Sequence, residues 1–532
     1  MTTMVGTGPL VRLILRRDRI ILPLWVLIFA ILPISYASAN AGLFTNDAAR
    51  HAYYQGIVNS PAQLGLLGPV FGDSIGALTA WRVGFLYVLL GLASVFSVIR
   101  HTRAEEESGR RELIGSTAVG RAAAVVAAVL VTVGANLLIG LIASLGLIGL
   151  GQPTAGSMAL GAASAFVGCV FTGIGGLAAQ LTTGARAARG LGTAVLIAAF
   201  TIRAAGDSGG SDGALSWLSW LSPVGWAQQV RPFAAERWWV LALPILTTLA
   251  VTAVALVAAS HRDLGAGIVP TLPGPAAASS VLRSPLALAW RLQRGVLLGW
   301  ILGFAAFGAV LGAVGQSVAD QFGNNPQLVD VMRQLGGVSG LMDAYFASSI
   351  GILGVAAAGY AVSATLRLRS EEESQRAEPL LATSVSRVRW TGSHLLFGLL
   401  GPAVILTAAG LAAGLVYGAI TGKVDHEVST LLSATLLQLP AVWVIAGLAV
   451  ALFGLLPKLT ALAWGALAGV VLLGQLGPLL RLDQWAMDVS PFTHLPRLPG
   501  GDLVFTPLAL LVVVATALTT VGVIGFRRRD VG

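Results

Sequence analysis

Two stretches of this sequence order acids and bases tightly enough to act on a partner. Residues 103–121 read RAEEESGRRELIGSTAVGR, and residues 369–387 read RSEEESQRAEPLLATSVSR. Carboxylates and guanidiniums in this order do ionic recognition rather than bond making. Thr102 and Ser370 stand where each could cap a helix, with a glutamate three residues on. The glutamates fall in the first turn, where the helix dipole favours negative charge. Glu106 and Arg110, and Glu372 and Arg376, are spaced i,i+4 for helical ion pairs. Glu107 and Arg111 add a third pair in the first run only, since residue 377 is alanine. Adjacent glutamates turn by about 100° per residue. Three in a row cannot all face one partner, so some project into solvent or against another protein. A solvated, salt-bridged loop helix accounts for one such run. It does not account for the same order of residues twice.

Other chemistries lack their residues. No GxxxxGK[ST] occurs, so the chain cannot cradle ATP phosphates in the P-loop manner. Gly422-Lys423-Val424 lacks the hydroxyl residue. HExxH is absent, and so are paired carboxylates or a Ser/His/Asp set within apolar runs. The single cysteine, Cys169, can form neither an intramolecular disulfide nor a paired-thiolate zinc site. No catalytic residue, metal ligand or bound cofactor is expected. Nor does any apolar run carry an ionisable group near its centre, as ion-coupled carriers usually need. His394 reads as a polar residue near the inner end of its span.

The elements that must position the two runs are membrane helices. The 532 residues are 55% hydrophobic and only 11% charged, with a mean hydropathy of +0.81. Soluble domains carry roughly 25% charged residues, so a water-soluble fold, a disordered chain and a fibrous repeat are excluded. Runs free of Asp, Glu, Lys and Arg fall at 20–40, 83–99, 122–150, 157–182, 190–202, 238–260, 295–319, 344–366, 390–422, 429–457, 459–480 and 503–526. The expected fold is all-α, with twelve transmembrane helices. With the N terminus inside, inner segments hold 24 of the 33 Arg and Lys residues and outer segments nine, as the positive-inside rule requires. The net charge of +9 is then an inner-leaflet belt, and nucleic acid is not an expected partner. Both termini are expected in the cytoplasm of a bacterial cell, with the chain in the plasma membrane. Ala37-Ser38-Ala39 resembles a signal cleavage site, but an ordinary first helix is the better reading.

The two runs also divide the chain. Their offset is 266 residues, half of 532, and ten of nineteen positions are identical. Each follows the second apolar run of its half. Arg16, Arg19 and Trp25 are echoed by Arg291, Arg294 and Trp300. Ser222-Pro223 is echoed by Ser490-Pro491. The expected organisation is a first six-span half at 1–260, a Pro- and Ala-rich cytoplasmic linker at 261–290 and a second half at 291–532. Two parallel repeats imply a pathway between the halves. Gly168, Gly173, Gly175 and Gly176 read as close helix packing. Trp217, Trp220, Trp226, Trp238 and Trp239 read as an interfacial aromatic belt, with an outer gate as the functional alternative.

The EEES-x-R-x-E runs are similar to the glutamate-rich segment after the second span in permeases of type 2 ABC exporters. The two-half arrangement resembles the actinobacterial polyketide-antibiotic subgroup, which includes tetronasin-type permeases. The likeness covers the whole chain in architecture and nineteen residues per half in motif. It implies coupling helices that dock ATPase subunits through Glu105, Glu106, Glu107, Arg110 and Glu112, and through Glu371, Glu372, Glu373, Arg376 and Glu378. Pro379 replaces Leu113, implying a shorter second helix and unequal docking sites. Arg16, Arg19, Arg291 and Arg294 would lie on amphipathic connecting helices. Ser222, Pro223, Ser490 and Pro491 would belong to re-entrant outer helices capping the cavity. Trp25, Phe29, Phe85, Phe96, Phe304, Phe307, Phe346 and Trp464 are cargo-cavity candidates, set against the plainer reading of core or lipid-facing residues.

The expected function is the permease subunit of an ATP-driven exporter of hydrophobic or amphiphilic compounds: antibiotics, drugs or lipids. Two copies of a cytoplasmic ABC ATPase would supply ATP and Mg sites, and membrane lipids would surround the chain. The alternative is a carrier driven by an ion gradient or by none. A third reading is a membrane scaffold or sensor, which would show no substrate-dependent ATPase activity.

Overall fold

The computed structural model describes residues 4–44, 46–110, 119–210, 213–263, 265–269, 276–279, 282–323, 337–476 and 483–530. Among them every regular element is helical. The chain divides into two compact units, Met1–Gly274 and Pro275–Gly532.

The first unit opens with a short amphipathic helix, α1 (Thr7–Arg17), then α2 (Ile21–Leu43), α3 (Asp47–Val58) and α4 (Pro61–Leu67). Helix α5 (Ile75–Arg82) runs through a 3₁₀ turn into α6 (Leu86–His101), and α7 (Arg103–Glu107) carries the first glutamate run. There follow α8 (Ala123–Gly149), α9 (Thr154–Leu181), α10 (Ala185–Asp207), α11 (Pro223–Gln229) and α12 (Ala242–His261). The second unit comprises α13 (Pro285–Gly323), α14 (Gly337–Thr365), α15 (Arg367–Glu373), α16 (Ala377–Leu381), α17 (Arg387–Thr421), α18 (Val424–Leu436), α19 (Leu439–Leu455), α20 (Leu462–Leu476), α21 (Gln484–Met487) and α22 (Phe505–Arg528).

Eleven helical stretches among the described residues are long and apolar enough to cross a membrane, so this is a multi-pass membrane protein. The run at 459–480 carries α20, whose 15 residues fall short of the ~20 that span a bilayer; residues 477–482 lie outside the described ones. The run at 190–202 grows into the 23-residue α10, because Arg203 and Asp207 pair within it. Side chains on α2, α12, α13 and α22 are largely unburied: Leu246, Leu249, Leu302 and Val513 are each more than 60% exposed. A soluble protein rarely shows such apolar faces; here hydrocarbon covers them.

The first unit is built around α9, which packs against α6, α8, α10 and α12. Its small residues let backbones approach closely. A Cβ on Gly168 would lie 2.1 Å from Oδ1 of Asn136, and one on Gly175 would lie 3.0 Å from Cα of Val95. Asn136 is fully buried and donates to Ser94 Oγ (3.1 Å), Thr132 O (3.0 Å) and Thr172 Oγ1 (3.3 Å). That closed knot ties α6, α8 and α9 together where water cannot serve. In the second unit α17 packs on α13, α14 and α18, and α19 on α22. His394 is buried between Gln293, 3.3 Å away, and the ring of Trp390.

Candidate functional site

Both glutamate runs lie just past a membrane helix, and both take the same backbone course. Ser108 N donates to Ala104 O (3.2 Å) and Gly109 N to Glu106 O (3.0 Å). At matching positions Ser374 N donates to Ser370 O (3.1 Å) and Gln375 N to Glu372 O (2.9 Å). Each turn then closes on a left-handed residue, Gly109 at φ 72° and Gln375 at φ 56°. This is the usual way to stop a helix without stranding its carbonyls. The expected hydroxyl caps do not form. Thr102 Oγ1 donates back to Val98 O (2.7 Å), and Ser370 lies inside α15. The chain reaches each run already helical, so the Thr102 hydroxyl finds the carbonyl four residues back, and Ser370 has no exposed helix start to cap.

The ion pairs also depart from the i,i+4 expectation. In the first run Glu106 is only 2% exposed and lies between two guanidiniums. Arg103 Nη1 donates to its Oε2 at 2.7 Å. Arg262 Nη2 donates to Oε1 at 2.6 Å and to Oε2 at 2.8 Å. Arg103 further donates to the carbonyls of Ala179 (3.0 Å), Thr182 and Ala266 (2.8 Å), fastening the turn to the end of α9. Arg262 donates to Gln180 Oε1 (2.8 Å) and Ala266 O (2.6 Å), and burial pulls its guanidinium below the usual range. With Glu106 so engaged, Arg110 pairs with Glu105 instead (3.5 Å), and Glu105 also pairs with Arg17. Glu107 accepts from Ala185 N (3.1 Å), so a carboxylate sits on the N-terminus of α10. Glu112 and Arg111 lie outside the described residues.

The second run repeats this scheme. Glu372 accepts from Arg369 (3.2 Å) and from Arg529 at the end of α22 (2.6 Å). Arg376 pairs with Glu371 (3.9 Å) rather than Glu372. Arg529 also lies over the rings of Phe453 and Phe526, 5.2 and 5.4 Å from their centroids. The runs differ in two places. Arg367 holds Glu371 at 2.6 Å. Glu373 is 61% exposed and pairs with Arg369 (2.9 Å), whereas Glu107, exposed as well, reaches the N-terminus of α10. Glu378, on α16 with Pro379, is exposed. The surface left to a partner is therefore Arg110, 59% exposed, with Glu105 and the exposed Glu107 in one unit, and Arg376, 65% exposed, with Glu373 and Glu378 in the other. Glu106 and Glu372 are pins.

Arg16 lies in the last turn of α1 and Arg19 just beyond it, both exposed. The residues that tie α1 to the turn are their neighbours. Arg17 pairs with Glu105, and buried Asp18 pairs with Arg100 (3.0 Å) and His101 (2.7 Å). A cavity of about 440 Å³ opens there, lined by Leu10, Ile14, Arg17, Glu105, Arg121 and Arg262 among others. In the second unit Arg291 and Arg294 lie exposed on α13, which runs unbroken into its span, so no separate connecting helix forms. Ser222 accepts from Val224 N (3.2 Å) and caps α11, with Pro223 in its first turn. Ser490 accepts from Phe492 N (3.3 Å) and starts a 3₁₀ turn at Pro491.

Within each unit the aromatic candidates form no single cluster. Trp25 and Phe29 meet edge to face at 6.0 Å, and Phe85 meets Phe200 at 6.3 Å. Phe304 and Phe346 are buried in separate cores of the second unit. Phe96, Phe307 and Trp464 lie on unit surfaces. The residues that sequence reasoning missed are Arg262, Arg529, Arg17 and Asp18. Their one signal was position: two arginines close the last helix of each half, and Arg17 and Asp18 stand before the first span.

The family described as the multidrug efflux system permease Rv1217c, C-terminal domain, matches residues 282–527. The multidrug efflux system permease protein Rv1217c of Mycobacterium tuberculosis (strain ATCC 25618 / H37Rv) is 45% identical over 527 residues, covering 99% of this chain and 95% of that protein. With the whole length aligned at that identity, the chain belongs to the family of the multidrug efflux system permease Rv1217c.

Proposed function

We propose that this chain is the membrane permease subunit of an ATP-driven exporter. Its cargo would be hydrophobic or amphiphilic: antibiotics, drugs or lipids. Energy would come from two copies of a separate cytoplasmic ABC ATPase, which would carry the ATP and Mg sites, one docking at each glutamate turn. In this reading α20 completes twelve spans, arranged as two parallel six-span repeats with both termini cytoplasmic. The tetronasin-type permeases offer a functional analogy for this reading. The relationship to a multidrug efflux permease supports the drug cargo.

The observation that carries the reading is the doubled turn. Each has a glutamate pinned by an arginine from the unit's last helix, and each leaves an exposed arginine beside its acids. A merely solvated loop needs no buried pin; a surface that must transmit force does. The test is co-purification with a cytoplasmic ABC ATPase, followed by drug efflux from lipid vesicles. The expected result is two ATPases per chain and efflux that needs ATP but survives an uncoupler. Efflux lost to the uncoupler with ATP held constant would instead make this an ion-gradient carrier.

A further inference from the structure

A second built site lies at the far end of α10 from Glu107. The helix rises about 33 Å between those ends at 1.5 Å per residue, so the site faces the opposite side of the membrane from the glutamate turn. A cavity of about 260 Å³ is lined there by Phe71, Trp217, Trp220, Arg231 and Arg237 among others. Asp207 lines it too, so two arginines there face one acid. Arg231 stacks on Phe71, 4.4 Å from the centroid, and its Nε is buried without a hydrogen-bond partner. Among the described residues no carboxylate pairs with Arg231 or Arg237. Glu236 makes no ion pair with either, and Asp207 is held by Arg203 (3.5 Å) and by the hydroxyl of Ser219.

The backbone around Arg231 is costly to hold. Arg231, Phe233 and Ala235 all take left-handed φ values, of 54°, 63° and 54°. Non-glycine residues do so at a cost of about 1 kcal/mol or more each, and such strain gathers at functional sites. Phe233 is the clamp that holds it. A Cβ at Gly76 or Gly156 would fall 2.5 or 2.2 Å from its ring, so only glycine leaves the ring its slot. The cavity's rim is apolar. Leu221, Trp238 and Trp239 are exposed, and Trp239 stacks on Trp220 at 5.7 Å. Tryptophans so placed belong at the level of lipid headgroups.

We propose that this cavity binds the anionic headgroup, phosphate or carboxylate, of an amphiphile, with Arg231 and Arg237 on the anion and the tryptophans on its apolar part. The volume lies just below the ~300 Å³ at which whole-ligand pockets begin. It suits a headgroup whose chains lie outside, along the exposed apolar rim. An anion would also relieve the crowding of two guanidiniums. Burial, and then the neighbouring Arg237, already pull Arg231 below the usual arginine range.

The probe is phosphatidylglycerol, titrated into the full chain in a neutral detergent and counted by native mass spectrometry. Phosphatidylcholine and inorganic phosphate form parallel arms. The expected result is one retained phosphatidylglycerol per chain, with at least tenfold weaker retention in Arg231→Gln and in Arg237→Gln. Arg237 has a negative φ, −100°, outside the left-handed region, so its variant guards against misfolding of the strained loop. Phosphatidylcholine should not be retained, and inorganic phosphate should not displace the lipid at equal concentration. Equal retention of phosphatidylcholine, or unchanged retention in both variants, would overturn the proposal. Displacement by inorganic phosphate would overturn its apolar half and identify a free-anion site.

Discussion

Arg262 Nη2 bonds both carboxylate oxygens of Glu106, a residue 156 positions earlier in the chain. The guanidinium comes from the end of α12 and the carboxylate from the turn after α6, so the pair fixes the unit's last helix to its glutamate run. Both partners are buried, at 6% and 2% exposure. Removing one partner of a buried pair costs about 3–5 kcal/mol when the other is left uncompensated; Arg103 still holds Glu106 at 2.7 Å, so losing Arg262 falls toward the lower end of that range. Arg262→Ala should therefore lower thermal stability sharply and abolish efflux. Arg262→Ala combined with Glu106→Gln should recover part of the stability. A double-mutant cycle by thermal unfolding in detergent reads the coupling, expected at about 1–3 kcal/mol. Additive single effects would mean the pair is incidental. Arg529 and Glu372 should give the same cycle in the second unit.

Matched residues should behave differently where their surroundings differ. Both Glu107 and Glu373 are exposed, but Glu107 sits on the N-terminus of α10, accepting from Ala185 N, while Glu373 pairs with Arg369. Glu107→Gln keeps an acceptor but loses the charge, and should cost about 0.5–1 kcal/mol of stability. Glu373→Gln should leave stability within about 0.5 kcal/mol yet weaken ATPase capture, since it lies on the exposed docking face. Thermal unfolding and ATPase pull-down on the same two variants separate these effects. Equal destabilisation by the two variants would refute the helix-terminus role of Glu107.

The membrane helices were legible in the sequence because they need only an unbroken apolar run. Their ends were less so. Cutting at the first charge stopped the fifth span at residue 202, whereas Arg203 is fully buried against Asp207, the carbonyl of Leu66 and the ring of Phe200. A charge count cannot see that two opposite charges cancel. The i,i+4 ion pairs were inferred from local spacing, and local spacing is blind to Arg262 and Arg529. The nearness of Arg262 to Glu106 is a property of tertiary packing alone. Within each unit the aromatic candidates form no single cluster, for a related reason. Which face of an all-apolar helix points inward is set by its neighbours, and such sequences carry little moment of their own.

The two left-handed closures make a paired test of backbone geometry. Gln375 holds φ 56° where the first run has Gly109 at φ 72°. A side chain costs roughly 1 kcal/mol in that region, so Gln375→Gly should be neutral or stabilising by up to about 1 kcal/mol. Gly109→Val adds a β-branched side chain at the same angle and should destabilise the first turn by more than that. Among the described residues nothing lies within 4 Å of a Cβ placed on Gly109, so a loss reports strain rather than collision with them. Limited proteolysis within the turn, compared between the variants, checks both directions. A Gly109→Val chain as protected as wild type would show that the turn tolerates another conformation.

Glycines of α9 should divide by what lies opposite them, although all sit in the same helix. At Gly168 an added methyl meets Asn136 Oδ1 at 2.1 Å, within the hydrogen-bonded knot of Ser94, Thr132 and Thr172. At Gly176 the nearest atoms are 3.8 Å away, an ordinary contact. Gly168→Ala must push α8 off α9 or break the knot, and overpacking of this kind costs about 1–3 kcal/mol. Gly176→Ala fills available space and should be harmless, or slightly stabilising because alanine is the better helix former. Expression level and melting temperature of the two variants in detergent read the contrast directly. Equal tolerance would mean that Asn136 swings aside freely, and the knot would then not be what holds α6, α8 and α9 in register.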